Sequence, residues 1–346
     1  MNFAPAFHSS TLRPARKFAR RGPKGDVTTH FLTVMDGILP HLVFDPPIII
    51  VALLVVGGSL FATLVLLVIF NGLIPLDLRS AHNDVAGFTI SIVGVIYAVL
   101  LAFIAVSAWE SHGKAEEVVQ IEANMVGNLY VDSIGLPPEV RFRIWRSLRD
   151  YTNTVIDVEW PSQHQGRVNF AGWAALLNLN STLAAFKPSD GSTIGLKSEL
   201  IRTADDLFQA RRNRLETATS GIPAVMWAIT LSGGALTIVF SFFFGMPNFR
   251  IHLTFSGMLA VSLALVFVLI VALDRPFRGD LAISTERFEE ISKGIVPSMK
   301  IDLQEVVADG TEFHGLESSE VTERLYHQFF SDLPREAFNS IIAGSH

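Results

Sequence analysis

The sequence predicts an all-α membrane protein, with four transmembrane helices in two hairpins and a helical cytoplasmic insert between the hairpins. Of its 346 residues, 49% are hydrophobic and 17% are charged, whereas soluble domains carry roughly 25% charged residues. The apolar residues concentrate in four uncharged blocks, each longer than the ~20 residues that cross a hydrocarbon core. No strand-like alternation of useful length occurs anywhere in the chain.

The four uncharged blocks are the predicted membrane spans, at residues 48–70, 85–109, 222–244 and 251–273. The second block continues as a helical pattern, because apolar residues recur every three or four positions as far as residue 134. We therefore predict one long helix over residues 85–134, half of it in lipid and half in water.

A polar block with a helical pattern, residues 110–216, separates the second span from the third. One apolar face in this insert steps by four and three residues, which is typical of a helix packed on other helices. That face consists of Ile144, Leu148, Tyr151, Val155 and Val158. The sequence DVEWP at residues 157–161 predicts the end of this helix, since proline cannot continue it.

The flanking segments and the basic residues predict the topology. Residues 1–46 form a basic arm with an interfacial segment, and residues 297–346 form a polar tail, so that residues 47–296 hold the membrane domain. With four spans, all but Arg79 and Arg250 of the 27 Lys and Arg residues fall on the side that carries the insert and both termini. The positive-inside rule places that side in the cytoplasm.

Composition and motifs argue against several classes of function. The net charge of −6 and the lack of basic-aromatic interleaving argue against a nucleic-acid partner. The chain has no cysteine, which excludes thiolate metal sites and cysteine catalysis. The histidines do not form the helical zinc pattern, and no glycine-rich phosphate loop is present. We therefore predict neither an enzyme nor a metal or cofactor site.

The second span divides into two sectors when it is projected at about 100° per residue. Small side chains that permit close helix contact share one sector: Gly87, Ser91, Gly94, Ala98, Ala102 and Ala105. Bulky side chains form the neighbouring stripe, which ends on a carboxylate: Ile92, Val95, Val99, Phe103, Val106 and Glu110. This stripe is either the hydrophobic constriction of an oligomeric pore, with a Glu110 ring at its mouth, or one face of a helix within a four-helix bundle.

Charged residues at two other places predict local structure. Glu122 lies among apolar positions of the long helix, and the helix that returns to the membrane carries Arg211, Arg212 and Arg214 as candidate partners. After the fourth span, Asp274, Arg275, Pro276 and Phe277 predict a turn at the membrane edge, with Phe277 tucked back into the interface.

Five stretches of the chain, in order and widely spaced, resemble the bacterial bestrophin-like domain family. They are residues 93–110 (VGVIYAVLLAFIAVSAWE), 115–123, 157–161, 210–223 (ARRNRLETATSGIP) and 273–288 (LDRPFRGDLAISTERF). Bestrophins are anion channels, typically pentamers, with four membrane helices and a helical cytosolic part. The resemblance therefore implies a homo-oligomer of the bacterial inner membrane, embedded in the lipid bilayer, that passes inorganic anions.

In bestrophins the second membrane helix lines the pore with a hydrophobic neck. The resemblance assigns that role here to Ile92, Val99 and Phe103, with Val106 nearby. The chain departs from calcium-activated bestrophins after the Pro276–Phe277 corner, where Asp280 is followed only by dispersed glutamates. Calcium requires six to eight oxygen ligands, so we expect no calcium gating.

A second function, from a different class, also fits the residue pattern. In that interpretation the protein is a non-conducting membrane scaffold or sensor, whose cytoplasmic helices bind a partner while the spans serve as an anchor. A pore requires a symmetric ring of copies around the second span, and stoichiometry therefore separates the two hypotheses.

Overall fold

The computed structural model describes residues 46–294, together with Glu323, Tyr326, His327 and Arg335. The predicted basic arm (residues 1–45) and nearly all of the predicted tail lie outside the described residues. Within the described part every regular element is helical. The helices are α1 (Ile48–Leu73), α2 (Leu76–Ser80), α3 (Asn83–Asp132), α4 (Pro138–Thr154), α5 (Trp160–His164), α6 (Trp173–Ala185), α7 (Gly191–Thr219), α8 (Ala224–Phe242) and α9 (Phe249–Asp274). A further helical segment covers residues 286–294.

Four helical stretches of the described residues are long and apolar enough to cross a membrane, and they consist of or include α1, α3, α8 and α9. Helices α1, α3 and α9 contain the first, second and fourth predicted spans, and α8 covers all but two residues at each end of the third. The long helix is confirmed, since α3 runs without a break for 50 residues, or about 75 Å at 1.5 Å per residue. We call the side of the spans that carries α4 to α7 the insert side. The opposite side, which holds α2 and the turn between α8 and α9, is the loop side.

The membrane helices do not pack in chain order. Helix α1 packs mainly against α9, whereas α3 packs against α8 and α9. The buried side chains of this membrane core come from α3 and α9: Tyr97, Leu101, Ile104, Ala108, Ile270 and Leu273. One face of α3 is therefore covered within the chain.

On the loop side, two polar contacts tie the helix ends together. Arg79 of α2 is buried, and its guanidinium donates to the carbonyl of Phe242 at 3.2 Å and to the side chain of Asn71. Both acceptors lie in the last turn of a membrane helix, where the helix dipole favours a cation. The side chain of Asn83 at the start of α3 both donates to and accepts from the backbone of Gly245, at 3.1 and 2.8 Å.

On the insert side, the aqueous half of α3 packs along α7, and α4 packs on α6. Together they enclose one apolar core that also includes Trp160, Phe277 and Phe288. Tyr326 of the tail is partly buried against the same core.

The helix that was predicted to end at residues 157–161 continues. A π-helical turn, Val155–Glu159, follows α4, and α5 resumes at Trp160 with Pro161 in its first turn. The prediction is wrong because the π turn restarts the hydrogen-bond pattern, and a missing N–H is tolerated in a first turn. The wider turn also rotates the side chains within it, so that Val158 is 40% exposed whereas Val155 is fully buried.

Candidate functional site: the exposed face of α3 and its support

The membrane half of α3 leaves its bulky stripe uncovered. Glu110 at the end of the stripe is exposed. The apolar members are 48–71% exposed: Ile92, Val95, Val99, Phe103 and Val106. The opposite side of the helix faces α8 and α9 and is buried. The stripe is thus free to line a path or to contact lipid or another copy of the chain.

The same face continues along the insert side of α3. In steps of seven and four residues it passes from Glu110 to Glu117, Ile121 and Asn128, all of which are exposed. A step of seven or four keeps a side chain on the same face of a helix. The chain therefore presents one uninterrupted surface from the middle of the membrane to the far end of α3.

The small residues predicted to pack helices together form only part of the contact face of α3 among the described residues. Ala105 packs against the membrane core, and a Cβ atom on Gly87 would lie 3.8 Å from the ring of Phe244. Ser91, Ala98 and Ala102 are exposed, while Gly87, Gly94 and Ala105 are partly buried. The closest contacts with α8 and α9 are instead made by larger residues, among them Tyr97 and Leu101. The role of the small sector in helix packing remains a prediction, which now concerns contacts between copies.

A buried ion network fixes the insert side of α3. Arg214 of α7 donates to Glu122 of α3 at 2.5 Å and to Glu159 of the π turn at 2.8 Å. Arg211 forms a fork with both carboxylate oxygens of Glu159, at 2.7 and 2.6 Å. The hydroxyl of Tyr151 donates to Glu122. These five side chains are fully buried, and their two carboxylates balance their two guanidinium groups.

Burial and neighbouring charges shift the pKa values of two residues in the network. Burial alone would raise the pKa of Glu159, but hydrogen bonds and charges from Arg211 and Arg214 outweigh burial and hold its pKa below the ordinary value. Burial, followed by the nearby charge of Glu122, raises the pKa of the Tyr151 hydroxyl well above its ordinary range. The tyrosine therefore serves as a neutral hydrogen-bond donor.

One glycine is required beside the network. The backbone N–H of Gly172 donates to Glu159 at 2.8 Å. A Cβ atom at this position would lie 2.7 Å from Nη1 of Arg211 and 2.8 Å from Oε1 of Glu159. Only a residue without a side chain lets the backbone approach the carboxylate this closely.

The predicted ion pairing is corrected in one respect. Glu122 pairs with Arg214, and Arg211 joins the network through Glu159, but Arg212 does not take part. Arg212 is exposed and donates to Gln209 one turn earlier on α7. Its side chain points away because a step of one or two residues along a helix turns to a different face.

The turn after α9 holds the insert-side ends of two spans. Asp274 accepts from the backbone N–H of Ile222 at 2.5 Å, before α8, and Asp280 accepts from the N–H of Ile48 at 2.7 Å, at the start of α1. The carboxylate of Asp280 thus satisfies a free N–H group at the first residue of α1, and that of Asp274 holds the chain two residues before α8. Phe277 does tuck inward, as predicted, and is 2% exposed; its position relative to the membrane interface stays a prediction. Phe277 packs on Trp160 in the insert core, with 5.6 Å between ring centroids.

Trp160 links this turn to the ion network. Its indole N–H donates to the carbonyl of Ile283 at 3.0 Å, and its ring lies beneath Arg214, 5.5 Å from the guanidinium carbon. A continuous set of contacts therefore runs from Glu122 on α3 to the turn that caps α1 and α8.

Similarities to known proteins identify the family of this chain. Residues 57–288 match the model of the bestrophin-like domain family. The chain belongs to the bestrophin-like family. The structure of a bacterial bestrophin homologue from Klebsiella pneumoniae aligns with a TM-score of 0.54 at 13% identity, covering 70% of this chain and 97% of that one. A single-substitution variant of the Klebsiella pneumoniae homologue gives a TM-score of 0.55 at 13% identity, with coverages of 70% and 98%.

A further structure, described as a membrane protein, aligns with a TM-score of 0.52 at 14% identity, over 69% of this chain and 98% of that chain. A comparison with curated proteins found no match. At these identities the structural likeness shows the fold. The bestrophin-like chain is thus a multi-pass membrane protein in which the exposed stripe lies on the second membrane helix.

Sequence reasoning did not assign three residues of this bestrophin-like site. Glu159 lies inside a stretch that was interpreted as a helix end, so its partners could not be anticipated. Tyr151 was assigned only to an apolar face, and Trp160 had no role. One signal was available for Glu159: Arg211 lies on the apolar face of α7, and a buried guanidinium requires a carboxylate partner.

Proposed function

We propose that this bestrophin-like protein is an oligomeric ion channel whose copies surround an axis lined by the exposed face of α3. The observation that carries this proposal is the division of α3 into two faces. One face is buried against α8, α9 and α7, while the other described residues leave the bulky stripe of the membrane half exposed. A ring of copies around the axis gives that stripe a common, enclosed environment.

In this arrangement Ile92, Val99 and Phe103 form an apolar neck, and Glu110 forms an acidic ring at its insert-side mouth. An apolar constriction in a pore hinders ions by excluding water, so that its width controls conduction. The family resemblance supports five copies and inorganic anions as the cargo. The charge distribution of the basic residues supports a cytoplasmic location for the insert side, in the bacterial inner membrane.

The buried ion network supports the proposal through rigidity. The carboxylate of Glu122 anchors the insert half of α3 to two other elements without exposing any charge to solvent. Breaking such a pair leaves an uncompensated buried charge, which is strongly unfavourable. The network therefore holds the pore-lining helix in one position relative to α7.

Two measurements on purified full-length protein test the proposed function. Native mass spectrometry in mild detergent is expected to give a closed ring of more than two copies, and planar bilayers containing that oligomer are expected to carry current. A monomer or dimer, or a pure ring that is silent at every voltage and pH, contradicts the channel and favours the non-conducting scaffold.

A further inference from the structure

At the centre of the predicted second span, one side chain of α3 is seated directly on the backbone of α8. Tyr97 is 6% exposed. Its ring covers Gly233, where a Cβ atom would lie 2.5 Å from Cε2 and 2.6 Å from Cδ2 of the tyrosine. A side chain at position 233 would collide with the ring, so the tyrosine can occupy this place only because residue 233 is glycine.

The next residue of α8 extends the same recess. A Cβ atom on Gly234 would lie 3.0 Å from the hydroxyl oxygen of Tyr97 and 2.8 Å from the ring of Phe267 on α9. The hydroxyl of Tyr97 donates to the backbone carbonyl of Thr230 at 2.8 Å. The tyrosine is thus held by a shaped recess and by a directional hydrogen bond.

Contacts of this kind determine how helices associate in a membrane. In lipid, hydrophobicity does not drive helices together, so close packing and interhelical hydrogen bonds decide how they associate. Tyr97 lies two residues before Val99, which places the two side chains on nearly opposite faces of α3. The direction of Val99 is therefore set by how Tyr97 is seated.

We propose that Tyr97, seated on Gly233 and Gly234, is the positioning residue that fixes the rotation of α3 and thereby selects the side chains of the neck. The part that concerns the neck rests on the proposed function. The rotation itself does not, and it can be measured without any current.

The test is a distance within one chain. The protein has no native cysteine, so spin labels can be placed at Val99→Cys on α3 and Leu236→Cys on α8 with no background. Both residues are about half exposed. Labelled protein is diluted with unlabelled protein, so that each oligomer holds one labelled chain, and pulsed electron resonance gives the distance.

Gly233→Ala is expected to shift this distance by up to about 3 Å, because a side chain about 5–6 Å from the helix axis moves that far in a rotation of about 30°. Gly57→Ala is the matched control, since a Cβ atom on that glycine of α1 meets nothing within 4 Å. Replacing the ring in Gly233→Ala/Tyr97→Leu is expected to return the distance toward that of the parent. If Gly233→Ala does not assemble, Tyr97→Ala is used, and a broadened distance distribution is expected.

Currents recorded from the same variants separate the two proposals. A shifted distance with altered current supports both of them. A shifted distance with no current in any protein, the parent included, supports the positioning role and contradicts the channel. A distance in Gly233→Ala and in Tyr97→Ala that equals the Gly57→Ala distance overturns the positioning role, whatever the currents.

Discussion

Arg214 joins the two longest helices of the described residues, since its Nε atom on α7 lies 2.5 Å from a carboxylate oxygen of Glu122 on α3. The same guanidinium reaches Glu159 at 2.8 Å. All three side chains are fully buried. This relationship fixes α3 against the insert, and it makes the stability of the protein depend on a balanced set of buried charges.

The first prediction concerns that balance. Arg214→Leu leaves two carboxylates with one guanidinium, and we expect the free energy of unfolding to fall by about 3–5 kcal/mol. The double variant Glu122→Leu/Arg214→Leu removes one charge of each sign. Its free energy of unfolding is expected to fall less than that of the single variant. Thermal unfolding of the detergent-solubilised oligomer measures both.

Arg212→Leu is the matched control for this experiment, because Arg212 is two residues away on the same helix but exposed. We expect it to leave the melting temperature nearly unchanged. If Arg214→Leu and Arg212→Leu lowered the melting temperature equally, the buried network would not be what stabilises the fold.

The second prediction concerns Gly172. Because a Cβ atom there would approach Arg211 and Glu159 to below 3 Å, Gly172→Ala is expected to lower the free energy of unfolding by about 1–3 kcal/mol. Gly113→Ala, in the interior of α3 with nothing within 4 Å of its Cβ position, is expected to be neutral or slightly stabilising. Chemical denaturation of the two variants gives the comparison. A loss at Gly113 as large as that at Gly172 would contradict the account.

The third prediction is a dependence on pH. The pKa of Glu159 is lowered in the folded protein, so the ionised carboxylate stabilises the fold above its ordinary pKa of 4.5, and this contribution is lost as the pH falls through the lowered value. Melting temperatures measured from pH 7 downward are therefore expected to drop in the acid range. In Glu159→Gln the acid-range drop should be shallower; an unchanged slope would assign it to other groups.

Hydrophobic pattern made most of this fold predictable. Runs of apolar residues revealed the spans, and a period of 3.6 revealed the length of α3, because both depend on local composition. The π turn at residues 155–159 was not predictable, since it depends on how Glu159 meets Arg211 and Arg214 across the fold. The same holds for Phe277, whose place on Trp160 is decided by tertiary packing. The sequence could not distinguish Arg214 from Arg212 as the partner of Glu122, because the distinction depends on which face of α7 packs against α3.

The fourth prediction concerns the acidic ring. Glu110 is exposed at the insert-side end of the bulky stripe; in the proposed pore its charge would repel anions that enter the neck. Glu110→Gln is expected to raise anion current by roughly up to fivefold, the order expected for the field of a unit charge about 4 Å away in water. The gain should shrink at high salt, because mobile ions screen the charge. Current–voltage recordings at low and high salt test this, with Glu116→Gln as the control on a different face of α3. An equal gain from both variants would contradict a ring at position 110.

The central claim is that the exposed stripe of α3 lines the conduction path. Its most direct test is block of current by a charged, water-soluble thiol reagent in planar bilayers that contain single-cysteine variants. Val99→Cys is compared with Phe61→Cys, which is 71% exposed on α1, a helix that packs mainly on α9. The account predicts that the reagent reduces the current of Val99→Cys and leaves that of Phe61→Cys unchanged. Unaltered current in Val99→Cys after confirmed modification of the thiol would contradict it.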